Sequence, residues 1–210
     1  MTESPYARRR RRASARHRGP EGPASSSSPA HDPEPDPREV ARAIVLRQLT
    51  ASAKSRQQLE DKLADRNVPE DVAREVLDRF EEVDLVDDAR FAEAYVRSRA
   101  VTRKLSRSAI RRELATRGVS GEIAESALEQ RTDEDEREDA AELVRRRLPA
   151  GPDLADRAER DRVVRRLVGM LGRKGYAPGL AFAVVREEIE ARCGSAGSED
   201  GPGGAYPDTP

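Results

Sequence analysis

The sequence predicts an all-α protein, an elongated array of three tandem three-helix repeats with a disordered tail at each end. Three observations predict this fold: a helix-favouring composition, a hydrophobic pattern that recurs along the chain, and polar segments at both ends. Aromatic residues make up only 3% of the 210 residues, and there is no tryptophan. Strands favour aromatic and β-branched residues, whereas this chain favours Ala, Leu, Arg and Glu. A large β-sheet core is therefore not expected.

The two ends of the chain differ in composition from its middle. Residues 1–37 contain an arginine run from Arg8 to Arg12 followed by serine, proline and acidic residues, and residues 193–210 are rich in glycine and proline. Such segments bury too little apolar surface to offset the entropy lost on folding. We expect both to be disordered tails around a folded body of residues 38–192.

The folded body contains an internal repeat. Apolar positions of a first block recur 51 residues later, and again after a further 57 residues, without gaps inside any block. The aligned positions include Leu59, Leu63, Val72 and Leu77, then Ile110, Leu114, Ile123 and Leu128, then Leu167, Leu171, Leu180 and Val185. With a preceding helix for each block, this pattern predicts repeats at residues 38–86, 87–131 and 132–192. A unit of this size has only a marginal core, so the repeats should pack on one another.

Each block has the pattern of two helices joined by a tight turn. The candidate N-caps of the first helix are Ser55, Ser106 and Asp161. The turn position, which must tolerate a left-handed conformation, holds Asn67, Gly118 and Gly175. Pro69 and Pro178 stand where the second helix should begin. In the third repeat, a longer loop at Gly151–Glu159 is needed between its first two helices.

The chain offers few groups for catalysis or metal binding. The only histidines, His17 and His31, lie in the predicted N-terminal tail, and no zinc-type spacing, phosphate loop or dinucleotide signature is present. Asp87–Asp88 and the acidic run Asp133–Asp139 stand at predicted helix starts, where carboxylates stabilise free N–H groups. We therefore expect no catalytic residue, metal or cofactor, and no enzymatic activity.

Three further features bear on the compartment. Cys193 is the only cysteine, which excludes an intramolecular disulfide and fits a reducing environment; it is predicted to be a small apolar residue near a helix end. No stretch approaches the roughly 20 apolar residues that cross a bilayer. The N-terminal arginine run is not followed by the apolar segment of a signal peptide. These observations predict a cytoplasmic protein without a membrane partner.

The middle repeat carries a strongly basic segment. Lysine and arginine total 39 against 40 acids overall, but eight cations between Arg97 and Arg117 face a single acid, Glu113. Unpaired like charges repel one another, so this segment favours binding to phosphates or to an acidic protein surface. The alternative is a solvated helix face. The predicted partner-binding surface consists of Arg97, Arg99, Arg103, Lys104, Arg107 and Arg111.

Other basic clusters are smaller, and base-specific reading is not expected. The smaller clusters contain Arg145, Arg146 and Arg147, and Arg162, Arg165, Arg166, Arg173 and Lys174. No aromatic platform accompanies the basic residues, and no helix-turn-helix can be separated from the general repeat. The aromatic residues at apolar positions, predicted to pack in the core, are Phe80, Phe91, Tyr95 and Phe182.

Several stretches resemble motifs of the RecX family. Ser55–Leu63 resembles the first-repeat motif, a Ser or Arg followed by an x-x-Glu-Leu-x-x-Lys-Leu helix, with Gln58 in place of the common Glu. Leu85–Arg99 resembles the pattern Leu-x-Asp-Asp-x-x-Phe-Ala-x-x-Tyr/Trp-Val-x-x-Arg. Ile110–Leu114 with Gly118–Val119 and Leu171–Tyr176 also fit. The resemblance covers the folded body and departs from the family in the long N-terminal tail, the loop at Gly151–Glu159 and the segment Lys104–Ser106.

The resemblance implies a modulator of RecA, the ATP-driven recombinase that polymerises on single-stranded DNA. Family members are understood to lie in the helical groove of the RecA–DNA filament and to reduce ATP hydrolysis, strand exchange and co-protease activity. For this chain it implies a regulator of recombination, DNA repair and the SOS response. We expect a monomer that contacts the RecA filament, with the backbone of single- or double-stranded DNA as a further partner. Two alternatives remain: a direct, non-sequence-specific DNA-binding protein, and a helical-repeat adaptor for another protein.

Overall fold

The structure, a computed structural model, describes residues 36–148, 154 and 156–196, and within these residues every regular element is an α-helix. The first three helices are α1 (Pro37–Ala51), α2 (Arg56–Ala64) and α3 (Glu70–Glu82). The next three are α4 (Asp88–Arg103), α5 (Arg107–Ala115) and α6 (Gly121–Leu128). The last three are α7 (Asp133–Arg147), α8 (Arg157–Arg173) and α9 (Pro178–Ala196). The all-α prediction is confirmed, and the predicted disordered tails lie outside the described residues apart from their innermost positions.

The buried apolar residues form three clusters, one in each consecutive group of three helices. We call these groups bundle 1 (α1–α3), bundle 2 (α4–α6) and bundle 3 (α7–α9). Equivalent fully buried positions are Ala41, Ala92 and Ala140, then Val45, Val96 and Val144, then Leu63, Leu114 and Leu171. The recurrence of these positions agrees with the internal repeat, while the exact boundaries at residues 86, 131 and 192 stay predictions.

The helix ends follow the sequence signals in bundles 1 and 2. Ser55 caps α2 in a capping box with Gln58, and the Ser106 hydroxyl accepts the backbone N–H of Ala109 at the start of α5. The prediction of Asp161 as an N-cap is wrong, because α8 begins at Arg157 after Asp156. The Asp156 carboxylate accepts two backbone N–H groups there, so the helix starts earlier and runs through position 161.

The turns also have the expected conformation. Asn67, Gly118 and Gly175 have φ values of 57°, 80° and 88°, all in the left-handed region. Asp87 caps α4 by accepting the N–H of Arg90, as expected for an aspartate that precedes a helix. Its neighbour Asp88 instead accepts the backbone N–H of Arg56 at 2.8 Å. The two adjacent carboxylates therefore serve two different helix starts.

The predicted aromatic core is confirmed at Phe80 and Phe91, which are buried, while Tyr95 is half-buried. The prediction for Phe182 is wrong, since its side chain is 55% exposed. Ala181, Val184 and Val185 face the core of bundle 3. Successive helical residues are rotated by about 100°, which turns position 182 outward. Cys193 is exposed on α9, and that helix continues to Ala196, past the predicted start of the C-terminal tail.

Neighbouring bundles meet at two equivalent joints. In the first, the Ser55 hydroxyl donates to the carbonyl of Arg117 at 2.6 Å, beside the turn at Gly118. In the second, the Ser106 N–H donates to the carbonyl of Lys174 at 3.1 Å, beside the turn at Gly175. Both serines are fully buried. Each joint thus sets the start of the second helix of one bundle against the turn of the next bundle.

Candidate partner-binding surface

The six cations of the predicted surface lie at the end of α4 and the start of α5. Arg97, Arg99 and Arg103 are on α4, Lys104 follows in a left-handed conformation with φ 47°, and Arg107 and Arg111 are on α5. A left-handed residue ends a helix and turns the chain sharply. The structure does not gather the six side chains into one patch; it distributes them over three settings.

In the first setting, two guanidinium groups contact the ring of one tyrosine. Arg99 and Arg117 each stand 4.5 Å from the centre of the Tyr95 ring, an arrangement that cation–π attraction favours. The Tyr95 hydroxyl donates to Glu113, and Arg99 donates to the same carboxylate at 2.8 Å. Burial alone would raise the pKa of Glu113, but these hydrogen bonds outweigh it, and the pKa is lowered. Arg103 lies 3.8 Å from this carboxylate, at the exposed edge.

The second setting is a charged contact between bundles 2 and 3. The Lys104 ammonium lies within ion-pair distance of Asp139 and Glu142 on α7, and the hydrogen bonds that it donates to these carboxylates raise the pKa of Lys104. Arg131, only 6% exposed, donates to Asp139 at 2.6 Å and to the carbonyl of Leu105 at 3.3 Å. A buried arginine needs such partners to offset its lost hydration. Lys104 is therefore held in a joint between bundles.

Arg107 belongs to the same contact. Its guanidinium pairs with Glu136 at 2.9 Å and also with Asp133, both on α7. It further donates to the carbonyl of Arg131 at 3.4 Å. Hydrogen bonding to Glu136 raises the pKa of Arg107 still further above its ordinary value. The Arg107 side chain thus links the start of α5 to the start of α7.

The third setting consists of single, exposed ion pairs. Arg97 lies 3.5 Å from Glu93 and donates to the side chain of Gln130 at 3.1 Å. Arg111 makes a two-pronged contact with Glu125, with both nitrogen–oxygen distances at 2.6 Å. Exposed pairs of this kind contribute little to stability, so a partner's anion can replace the carboxylate at little cost.

The expectation of nearly unopposed charge in this segment is wrong. Acids from α6 and α7, distant in the sequence, supply partners that the local pattern did not show. The side chains of Arg97 and Arg103 are each 60% exposed and that of Arg111 is 48% exposed, whereas that of Lys104 is only 17% exposed. Contact with a partner stays a prediction for all six cations. Arg97, Arg103 and Arg111 have the exposed side chains that such contact requires.

The acidic run at the start of α7 has the helix-start role expected of it and a pairing role besides. Thr132 caps α7 in a capping box with Asp135. Glu136 and Asp139 face bundle 2, where they meet Arg107 and Arg131. Across the residues that the structure describes, no group of three or more His, Cys, Asp or Glu side chains could hold a metal ion. None of the helices described here is long and apolar enough to cross a membrane.

The fold and this surface define a class of protein: an all-helical protein of three-helix bundles whose charged side chains join bundles and form exposed ion pairs. Family models match it twice, as the first three-helix domain of RecX at residues 41–80 and the second three-helix domain of RecX at residues 87–128.

Curated relatives and solved structures agree with those matches. The chain is 49% identical to a regulatory protein RecX of Streptomyces lividans over 81% of its own length and 89% of the relative. It is 43% identical to a regulatory protein RecX of Mycobacterium avium, over 80% and 95% respectively. The crystal structure of RecX from Lactobacillus salivarius superposes with a TM-score of 0.62 at 25% identity, covering 73% of this chain and 97% of that one. The chain belongs to the RecX family of regulatory proteins.

Proposed function

We propose that this chain binds the RecA–single-stranded DNA filament and inhibits its ATPase, strand-exchange and co-protease activities. It would thereby modulate recombination, DNA repair and the SOS response as a cytoplasmic monomer. The observation that carries the proposal is the match to both RecX three-helix domains within one chain that is 49% identical to a regulatory protein RecX. Inhibition would follow from occupying or capping the filament, with no chemical step performed by this chain.

The exposed cations of bundle 2 are the proposed contact residues. The guanidinium groups of Arg97, Arg103 and Arg111 are exposed to solvent. Each is paired with a carboxylate that an anionic partner surface can replace. Arg99, Lys104 and Arg107 hold the surface in place through Glu113 and α7. We therefore expect the first three to contribute directly to filament affinity and the second three to position the helices that carry them.

The test is single-strand-stimulated ATP hydrolysis by the cognate RecA, titrated with this protein, together with binding of this protein to the same DNA alone. Inhibition at amounts well below those of RecA, with weak binding to bare DNA, is the expected result. Unchanged hydrolysis at stoichiometric amounts would contradict the proposal. Affinity for bare DNA equal to that for filaments, falling steeply with salt, would favour direct DNA binding instead.

The contact residues are tested by reversing charge. The triple variant Arg97→Glu/Arg103→Glu/Arg111→Glu should lose at least about tenfold in filament affinity, since each exposed cation supplies a charge-assisted contact. The matched control reverses three exposed arginines of bundle 1, Arg42, Arg47 and Arg74. An equal loss in both variants would show a general charge effect and refute these residues as the contact surface.

A further inference from the structure

Three helices end close together where bundle 2 meets bundle 3, and cations collect at that point. Lys174, which follows α8, donates from its ammonium group to the carbonyl of Arg103 at the end of α4. Arg166 donates to the carbonyl of Arg147 at the end of α7, at 3.5 Å. The last carbonyls of a helix carry a partial negative charge, and they hold these two side chains in place.

A shallow pocket of about 400 Å³ lies at this point, and we call it the Lys174 pocket. It is lined by Val101, Thr102, Arg103, Lys104, Leu105, Leu143, Arg146 and Lys174. Arg147 stands beside it, close enough for its charge to act on Lys174. The pocket is therefore built from the ends of α4 and α8 and from the last turns of α7.

Carboxylates neutralise only part of this charge. Lys104 and Arg146 share Glu142, and Arg103 reaches Glu113 at a distance of 3.8 Å. For Lys174, Arg147 and Arg166, the described part of the chain provides no carboxylate at ion-pair distance. These three side chains thus differ from the six cations of the predicted surface, each of which has an acid partner.

The excess charge is unfavourable for the folded protein itself. Burial lowers the pKa of Lys174, and the nearby charges of Arg147 and Arg103 lower it further. A half-buried lysine among like charges is costly unless an anion relieves it. The carbonyl groups that hold Lys174 and Arg166 carry only about half a unit charge at each helix end, so they do not balance these two full cations.

We propose that the Lys174 pocket binds a backbone phosphate of nucleic acid through Lys174, and that Arg147 and Arg166, which lie outside the pocket lining at the end of α7, contact neighbouring phosphates of the same strand. Arginine and lysine are the usual phosphate ligands in nucleic-acid interfaces. The apolar rim favours a phosphodiester over a free ion, because Val101 is 79% exposed and can pack against a sugar. No aromatic side chain lines the pocket, so the contact reads the backbone and not the bases.

The test uses the full chain and no recombinase, so its outcome is independent of the proposed filament binding. The probe is a fluorescent oligothymidine of roughly 20 nucleotides, long enough to span a single-strand binding site. The variant Arg147→Gln/Arg166→Gln should bind about tenfold more weakly, and its plot of log affinity against log salt should flatten by about 1.4 for two lost phosphate contacts. Both side chains are exposed and make no ion pair within the described residues, so the fold should be retained.

The matched control is Arg42→Gln/Arg47→Gln on α1, which removes two exposed arginines far from the Lys174 pocket in sequence and keeps the N-terminal arginine run. Equal affinity and equal salt slope in the two double variants would overturn the proposal. A second variant, Val101→Glu, adds a negative charge at the exposed rim and should also weaken binding; unchanged binding would count against the pocket.

Three further compounds identify the ligand chemistry. A peptide nucleic acid of the same sequence lacks phosphates and should bind weakly to the unmodified protein and to the variants alike; tight binding would overturn the proposal. Inorganic phosphate should displace the labelled oligonucleotide only when its concentration far exceeds the concentration of phosphate groups at which unlabelled oligonucleotide does so. Competition at equal phosphate concentration would assign the pocket to the free ion, and equal displacement by polyglutamate would assign it to acidic proteins; either result would refute a nucleic-acid site.

Discussion

Replacing Gly175 with alanine should destabilise the protein through the joint between bundles 2 and 3. The backbone at Gly175 has φ 88°, which an L-residue with a side chain adopts at a cost of about 1–2 kcal/mol. A Cβ atom there would stand 2.6 Å from the Ser106 hydroxyl oxygen and 2.7 Å from the Cβ of Ala109. Forcing such an overlap apart adds about 1–3 kcal/mol. The expected total loss in the free energy of unfolding is therefore about 2–5 kcal/mol.

Gly121→Ala is the matched control, because Gly121 also has a left-handed φ of 62° but an added Cβ would meet nothing within 4 Å. It should cost only the conformational part, about 1–2 kcal/mol. The measurement is urea unfolding of the full chain followed by circular dichroism at the helix band. Equal destabilisation by the two substitutions would refute the reasoning, since the joint would then add nothing to the cost at Gly175.

Two further predictions concern single side chains. Ser106→Ala removes the buried hydroxyl that caps α5 and should cost about 1 kcal/mol in unfolding free energy. Ser120→Ala, at an N-cap whose side chain makes no capping bond, should change the unfolding free energy by no more than about 0.5 kcal/mol. A comparable loss at both sites would contradict the capping role of Ser106. The lowered pKa of Glu113 gives stability that is fully present above the unfolded carboxyl pKa of about 4.3 and is lost as the pH falls through the lower folded value. The thermal midpoint should therefore fall on acidification through this range, and Glu113→Gln should make the fall shallower; an equally steep fall in that variant would remove Glu113 from the explanation.

The helical architecture could be predicted from the sequence because its signals are local. A serine before an apolar helical pattern marks a helix start wherever the chain later packs, and Ser55 and Ser106 both cap helices. The prediction of Asp161 as an N-cap failed because a second aspartate, Asp156, provides an equally good cap about one and a half turns earlier. Phe182 was assigned to the wrong face of α9. A helix with apolar residues on several sides gives no sequence signal for which side is buried.

The charge pairing could not be predicted in the same way. Lys104 meets Asp139 and Glu142 only because bundle 3 packs against the end of α4. A count of charges within one segment contains no information about acids brought in by another segment. The same limitation applies to Lys174 and Arg166, whose convergence with the ends of α4 and α7 depends on tertiary contacts. The sequence located the basic clusters, while the structure determines which cations are engaged.

The repeated joint between bundles has a consequence for how such a chain can evolve. The turn at each joint must be both left-handed and without a side chain, because an added Cβ would meet Gln57 at Gly118 and Ser106 at Gly175. Asn67 occupies the equivalent turn in bundle 1, is exposed, and has retained only the left-handed backbone. Selection should therefore act jointly on a serine and a glycine that lie in neighbouring bundles. The interior of each bundle is free to diverge, provided that the residues at each joint still fit one another.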